Sequence, residues 1–532
     1  MNILDRMMES VAPVHAVKRQ KARVTLAFGN AQLDNLDKFM NSGYSNGGAS
    51  RTKRFARKWK HTSGSPKRDI EENRKVLRER SRDLAMNTPL GAAAVNSTRT
   101  NVVGCGLIPK PKIDYELLGM SREEARALEK KIRQEFKIWA ESTMCDSADQ
   151  NNFYELQQIA FSDWLRNGEE FALISYEDEE EYQPYQLRIR LVEGDRVSTP
   201  GSLNGEYFSD SKLKNGNRVV NGVEITETGK VVAYYISSTF PNDLDATKTK
   251  WFRVQKRGKI TGNLNILHIF NAERAEQYRG VPFLAPVIES IKQISRYTDA
   301  EIMAAVINSM FTIFITTEQG NEVSEFGGEE DDVDDELQDD EVTLGSGTVN
   351  FLKSGEDVRT VASNHPTGNF EQFLSAMAKL VGAALEIAPE ILLKSFSNSF
   401  SASKGAMNES WKSIKMRRGW FINDFCQVIY ELWLSEAVSK GRIHAPGFFN
   451  NLLVRKAYSH CTWNGPTQGQ IEPGKEVAAA AQRVKEGFST REDECAALNG
   501  SDFDDIVRTL EVENELMKKA NKALEEDVSN GS

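Results

Sequence analysis

The sequence predicts an α+β chain, and three observations carry that expectation. Helical periodicity dominates residues 69–168, and alternation of apolar and polar residues dominates 169–270. Two apolar helical segments then enclose a short β-like excursion. Helices followed by runs of strands, with no βαβ rhythm, describe α+β architecture with a mainly antiparallel sheet.

Residues 1–68 read as an extended basic arm. Lys18, Arg19, Lys21 and Arg23 precede a flexible link at Asn41–Gly48, and RTKRFARKWK (51–60) interleaves Phe55 and Trp59 with cations. Such a mixture can touch nucleic acid, although packing on a neighbouring subunit is the preferred reading. A helical pattern spans 70–87 and stops at Thr88-Pro89, and a second helix reaches Val102–Gly106. Ser121 stands three residues before Glu124, the signature of a capping box, so a helix opens there and runs to about 143. Residues 151–168 form another amphipathic helix. Strands are expected at 169–177, 185–194, 218–237 and 265–270, with hairpin signals at Asn221-Gly222 and Thr228-Gly229-Lys230.

The stretch from Arg279 to Leu434 is the most informative. Val281–Pro286 leads into an apolar helix ending near Met310, and FTIFITTE (311–318) reads as a strand. An intensely acidic tip follows, Glu329 to Glu341, before TVNFLKSGEDVRTV (348–361) returns toward a second apolar helix, 369–388. A helix that leaves a body, builds a small tip and comes back as a helix is a stalk, a shape suited to docking rather than catalysis. Beyond Pro389, residues 389–403 are serine-rich and poorly periodic, so they read as a loop. Residues 404–441 read as one long helix closed by Gly441, and the chain from Pro473 is helical and highly charged.

Composition narrows the function classes. A chain of 532 residues with 39% hydrophobic and 27% charged residues and 15 prolines is a folded protein with more than one structural unit. Its mean hydropathy of -0.49 is polar for its size. No apolar run approaches the roughly 20 residues of a membrane span, and MNILDRMMESVAPVH has no apolar signal core, so no membrane partner is expected. Cys105, Cys145, Cys426, Cys461 and Cys495 are scattered and read as reduced thiols, not a disulfide frame or a zinc site. The net charge of -10 argues against a tight grip on nucleic acid, which needs clustered cations. Such a chain can still surround DNA without gripping it.

Two tempting chemistries are set aside. Gly469 to Lys475 matches seven positions of a phosphate-binding loop, but position eight is Glu476, which supplies no hydroxyl for magnesium. The six histidines are dispersed without ligand spacing. The acidic tip could hold Ca²⁺ or Mg²⁺, but it lacks the glycine placement of an EF-hand, and a solvated loop is expected. Neither an enzymatic activity nor a cofactor or metal is expected.

Several motifs remain: Tyr44 through LRERSRDLAMNTPLGAAAVNSTRTNVVGCGL (ending at 107), Glu193-Gly-Asp-Arg-Val197, Arg279-Gly-Val-Pro-Phe-Leu-Ala-Pro286, Asn408-Glu-Ser-Trp411, the Arg417-Arg418 pair, and Trp463-Asn-Gly-Pro466 leading to Glu472–Glu476. In order and spacing, over most of the chain, they resemble the lambda family of phage portal proteins.

The resemblance implies a ring, usually of twelve subunits, at one capsid vertex of the virion, assembled in the host cytoplasm. Double-stranded DNA would enter during packaging and leave at ejection. Implied partners are the terminase large subunit, the major capsid and scaffold proteins, and the head-completion, connector and tail proteins. The family's architecture implies a wing (69–280), stem helices (281–310 and 370–388), a clip (311–369), a tunnel loop (389–403), a long helix with a wing return (404–472) and a crown with a tail (473–532). It places Lys394, Ser395, Ser397, Asn398, Ser399 and Lys404 toward the DNA channel, where short polar contacts to phosphate let a duplex slide without base readout. It assigns partner docking to the clip, with Asp331, Asp332, Asp334, Asp335 and Glu336. The rival readings are an ATP-dependent packaging enzyme and a scaffold or adaptor without a channel.

Overall fold

The computed structural model describes residues 12–40, 54, 58, 63–178, 182–203, 206–207, 213, 215–241, 249–309, 313–315, 349–351, 370–396, 399–470 and 472–530. Residues 1–65 form one compact unit and 66–532 another. In the first, Pro13–Met40 is a helix, α1, which corrects the expectation of an extended arm. Lys18, Arg19, Lys21 and Arg23 all lie on it, within a run that contains no proline after Pro13.

The second unit opens with α2 (Arg74–Asn87) and α3 (Pro89–Val102), joined by the single residue Thr88. Thr88 Oγ1 donates to Leu84 O at 2.6 Å and accepts from the Gly91 N–H at 3.2 Å, so one side chain ends the first helix and caps the second. Pro89 fits the first turn of α3, where no N–H is needed. Both capping-box bonds of Ser121 and Glu124 open α4 (Arg122–Ala140). Asn152 and Glu155 repeat the device at α5 (Phe153–Asn167), which Gly168 closes at φ 85°.

The strands are β1 (Ile108–Pro111), β2 (Glu169–Tyr176), β3 (Leu187–Glu193), β4 (Ser202–Leu203), β5 (Glu206–Tyr207), β6 (Arg218–Val220), β7 (Val223–Ile225), β8 (Val231–Ser237), β9 (Trp251–Gln255), β10 (Ile266–Phe270), β11 (Ile313–Ile315), β12 (Val349–Phe351) and β13 (Cys461–Asn464). Two antiparallel sheets form the centre, ordered β10-β2-β3 and β6-β7-β8-β9. Asn221 (φ 47°) and Gly222 (φ 84°) make the two-residue turn between β6 and β7, both in the left-handed conformation that this tight hairpin requires. β1 pairs with β13 across most of the chain length. In the tip region β11 and β12 pair in parallel.

The main core is aromatic. Phe136 and Trp139 of α4, Phe153 of α5, and Tyr430 and Trp433 meet at edge-on and tilted angles, with Phe136 and Trp433 centroids 4.9 Å apart. A second core of Phe171, Val192, Val223, Ile225, Tyr234, Ile236 and Ile266 fills the space between the two sheets.

The two apolar helices expected on either side of the tip are α6 (Ile288–Ser309) and α7 (Phe370–Leu385). The second stops three residues earlier than the sequence suggests, because Glu386 turns left-handed at φ 57°. Residues 389–403 are not a continuous loop. Pro389–Leu393 form a short helix, α8, started by proline at its first position, and α9 (Phe400–Phe421) begins before Lys404. The irregular part, among the described residues, shrinks to Lys394–Phe396 and Ser399. The expected single helix of 404–441 is also interrupted, by a π turn at Ile422–Cys426 before α10 (Gln427–Ser439). That extra residue re-phases the helix, so that Phe421, Phe425, Cys426, Ile429, Tyr430 and Trp433 are all buried. α11 (Leu452–Ser459), α12 (Pro473–Lys485), α13 (Arg491–Leu498) and α14 (Phe503–Asn530) complete the chain. Ion pairs hold the start of α14 to the body, with Arg133 2.9 Å from Asp505 and Lys110 3.2 Å from Asp502. Among the described residues, no helix is long and apolar enough to cross a membrane.

Candidate functional site

The shortened loop carries Lys394 at a left-handed joint (φ 51°), then Ser395 and Phe396, and ends at Ser399, the residue that precedes the first turn of α9. Lys394, Ser395 and Ser399 are exposed. Ser397 and Asn398 lie outside the described residues. Lys404 stands apart from this group. It sits one turn into α9, where its ammonium is 2.6 Å from Glu476 of α12 and only a quarter exposed. It therefore ties α9 to α12 rather than presenting a cation beside Lys394.

The loop is positioned from α9. The Ala388 N–H donates to Ser410 Oγ at 3.3 Å, and Ser413 Oγ donates to Glu386 O at 3.0 Å. Arg417 donates to Leu385 O at 3.2 Å and to the Glu386 carboxylate at 2.9 Å, while its guanidinium lies over the Phe283 ring. These bonds satisfy the last carbonyls of α7, which a helix end leaves open. Gly382 permits the return of the chain, since a Cβ there would lie 2.7 Å from Ile387 O. Arg418 performs the same service elsewhere. It donates to Val102 O at 2.9 Å, Asn101 O at 2.7 Å and Pro466 O at 2.7 Å, and stacks over Trp411. Burial lowers its pKa to about 10. It remains a cation at neutral pH, placed where the dipole of α3 ends negative.

The deepest polar construction lies at Glu169, the first residue of β2. Arg279 donates to it through Nε (2.8 Å to Oε2) and Nη2 (2.6 Å to Oε1), and Arg74 Nη1 lies 3.1 Å from Oε1. Arg78 completes the cation set with a short bond to Oε1, and the Gly280 N–H donates to Oε2 at 3.1 Å. The other donors of Arg279 reach Gly194 O and Val197 O, both at 2.7 Å, and Asn221 O. Burial opposes ionisation of Glu169, but Arg279, the His268 hydrogen bond, Arg78 and Arg74 outweigh it and hold the carboxyl well below its ordinary range. His268 Nε2 is 3.0 Å from Oε2, and its ring is stacked between Phe171 and Phe270. Burial brings its pKa down to about 4, so the imidazole is neutral at pH 7 and Nε2 carries the proton that the carboxylate accepts. Burial, and then Arg279, lower Arg74 to about 9.

Glu169, Arg74, Arg78 and His268 were not singled out in the sequence. The available signal was a pair of acids, Glu169-Glu170, at the head of an otherwise apolar strand. The motifs at 77–107, 193–197 and 279–286 all meet at this carboxylate, although nothing in their spacing shows it.

Elsewhere the candidates separate. Lys475 is 2.7 Å from Glu472 and mostly exposed in the first turn of α12, and Glu476 is engaged by Lys404. β13 does precede this segment, but it belongs to a two-stranded ribbon, and four residues lie between its last residue, Asn464, and the first residue of the motif, Gly469. His460 Nδ1 contacts Lys112 O at 3.0 Å, which makes it a packing residue of that ribbon. Asp331, Asp332, Asp334, Asp335 and Glu336 lie outside the described residues.

Residues 52–418 match the family profile described as phage portal protein, lambda family. The chain belongs to that family. This portal-family chain is 23% identical over 484 residues to portal protein B of Escherichia phage lambda, which spans 87% of this chain and 88% of that protein. It is 22% identical over 470 residues to the portal protein of Escherichia phage N15, covering 85% and 86%. A chain of the solved virion of a native gene transfer agent particle is similar at a TM-score of 0.35 and 12% identity, covering 81% of this chain and 94% of that one. The α+β fold expected from the sequence is the fold of this portal-family chain, and the Glu169 carboxylate and the Arg417-Arg418 pair lie within the matched range 52–418.

Proposed function

We propose that the chain forms a ring-shaped channel at one capsid vertex, through which double-stranded DNA enters during packaging and leaves at ejection. Family membership over residues 52–418 carries this reading. The role is structural: the chain shapes a passage and offers docking surfaces, and the terminase large subunit supplies the motor chemistry. Twelve subunits make the ring, which sits in the virion after assembly in the host cytoplasm with the major capsid and scaffold proteins. Residues 69–280 form the wing, α6 and α7 the stem, 311–369 the clip and 473–532 the crown. Lys394, Ser395, Ser397, Asn398 and Ser399 face the channel. The left-handed joint at Lys394 supports this placement, because it turns the chain away from α8 and leaves its ammonium exposed. The acidic residues 331–336 meet terminase first and the head-completion, connector and tail proteins later.

Negative-stain micrographs of the purified full chain, rotationally averaged, test the reading. Rings with an axial hole, formed without nucleotide, are expected. Monomers alone across assembly conditions would overturn it.

A further inference from the structure

Beside the hub, β2 presents its next side chain, Glu170, to the opposite face of the sheet. Glu170 is fully buried, and neither of its carboxylate oxygens has a hydrogen-bond partner. Its register partner on β3 is another acid, Glu193, and its partner on β10 is the apolar Ile269. α5, packed on β2, brings Asp163 toward the same place, with Arg166 near Asp163. Two arginines of α2 give their hydrogen bonds to other groups, although the charge of Arg78 still weighs against the acids around Glu170. Arg82 binds Glu193, Asp195 and Asn167 Oδ1, while Arg78 binds Glu169, Asp195 and Asn167 O.

An ionised carboxylate in such a place is shut off from solvent, accepts from no protein donor and has an acid directly opposite. Each of these favours the neutral form. We propose that Glu170 is a proton-operated clasp: as the neutral acid it lets α5 lie on β2 and β3, and on losing its proton to solvent it loosens that junction. The consequence reaches the stem, because Leu165 O at the end of α5 accepts the Phe283 N–H at 2.9 Å, just before α6 begins. Burial first, then Asp163, Glu193 and Glu169, push the Glu170 carboxyl well above its ordinary range, and burial and Glu193 bring Asp163 up to about 6. The closed state therefore holds a proton that the open state releases, and opening becomes easier as pH rises from the ordinary carboxylate range upward.

Hydrogen exchange of the α5 and β2 amides in the full chain, corrected for intrinsic rates, reads this between pH 6.5 and 8.5. In the unsubstituted protein, the opening constant should grow by up to about tenfold per pH unit, the slope of a single proton. Glu170→Gln, which is neutral and similar in shape, should be flat. Glu193→Gln removes the facing charge, so its rise should level off at a lower pH. A flat unsubstituted profile, or an undiminished slope in Glu170→Gln, would overturn the proposal. So would a slope that vanishes in Asp163→Asn and persists in Glu170→Gln.

Discussion

Arg279 and Glu169 meet side on, with Nε 2.8 Å from Oε2 and Nη2 2.6 Å from Oε1, and neither side chain reaches solvent. They are 110 residues apart in the chain. The remaining guanidinium N–H groups hold the carbonyls of Gly194, Val197 and Asn221, so one arginine ties β2, the turn after β3 and the β6–β7 hairpin together. Arg279→Met keeps the apolar stem of the side chain but removes the guanidinium and leaves these acceptors without their donor, and should cost roughly 3–5 kcal/mol, the range for breaking a buried pair. Denaturant unfolding at pH 7 measures it. A loss below about 1 kcal/mol would mean the hub is peripheral to folding.

The same hub sets an acid limit. His268 binds its proton less readily folded than unfolded, so stability falls as pH drops from 6.5 through about 4. Glu169 is shifted the same way, and its contribution, complete above the ordinary carboxylate range, is lost at still lower pH. Glu170 and Asp163 titrate with the opposite sign. Unfolding curves should therefore be compared in an Asp163→Asn/Glu170→Gln background, where both opposing carboxyls are gone and an acid-side loss beginning near pH 6.5 should be plainest. Stability independent of pH from 7 to 4 in that background would contradict the burial of His268.

Lys394 combines a charge with a left-handed backbone, and two substitutions separate them. Lys394→Ala and Lys394→Gly both remove the cation, so both should leave ring assembly intact and alter packaging or retention of DNA. Glycine alone relaxes the φ of 51°, so Lys394→Gly should be more stable than Lys394→Ala by roughly 1 kcal/mol. A ring structure with Lys394 on the outer rim would sink its channel assignment.

Lys475 pairs only across the exposed first turn of α12. Lys475→Ala should change stability by no more than about 0.5 kcal/mol, leave packaging intact, and reveal no ATPase activity to lose. Turnover that disappears in this variant would revive the phosphate-loop reading.

At the tip, changing Asp331, Asp332, Asp334 and Asp335 to Asn removes charge at nearly constant size. Rings should persist while binding to terminase or a connector weakens and loses salt sensitivity. Unchanged binding across a salt series would make the tip a passive solvated loop.

Element types were legible wherever the signal was local. Ser121 with Glu124 and Asn221-Gly222 each act over a few residues and appear as expected; β2 and β8 form where strands were expected, but both are buried on both faces rather than alternating. The misreading at 389–403 and the unforeseen change of phase within the long helix of 404–441 have separate causes: serine content hid the proline-started α8, and no propensity marks a π turn that re-phases Phe425 and Tyr430 into the core.

The sequence by itself determined the α+β order, the positions of most caps and hairpins, and the family, because each is written in short-range patterns and in the order of motifs. Only the tertiary structure decided that Lys404 binds Glu476, that Arg418 closes the end of α3, and that Glu169 collects three arginines and a neutral histidine. Whether a charged side chain is buried, and against what, depends on which distant segments pack around it. Desolvation and pairing act through space, and residues that neighbour one another in sequence do not specify them.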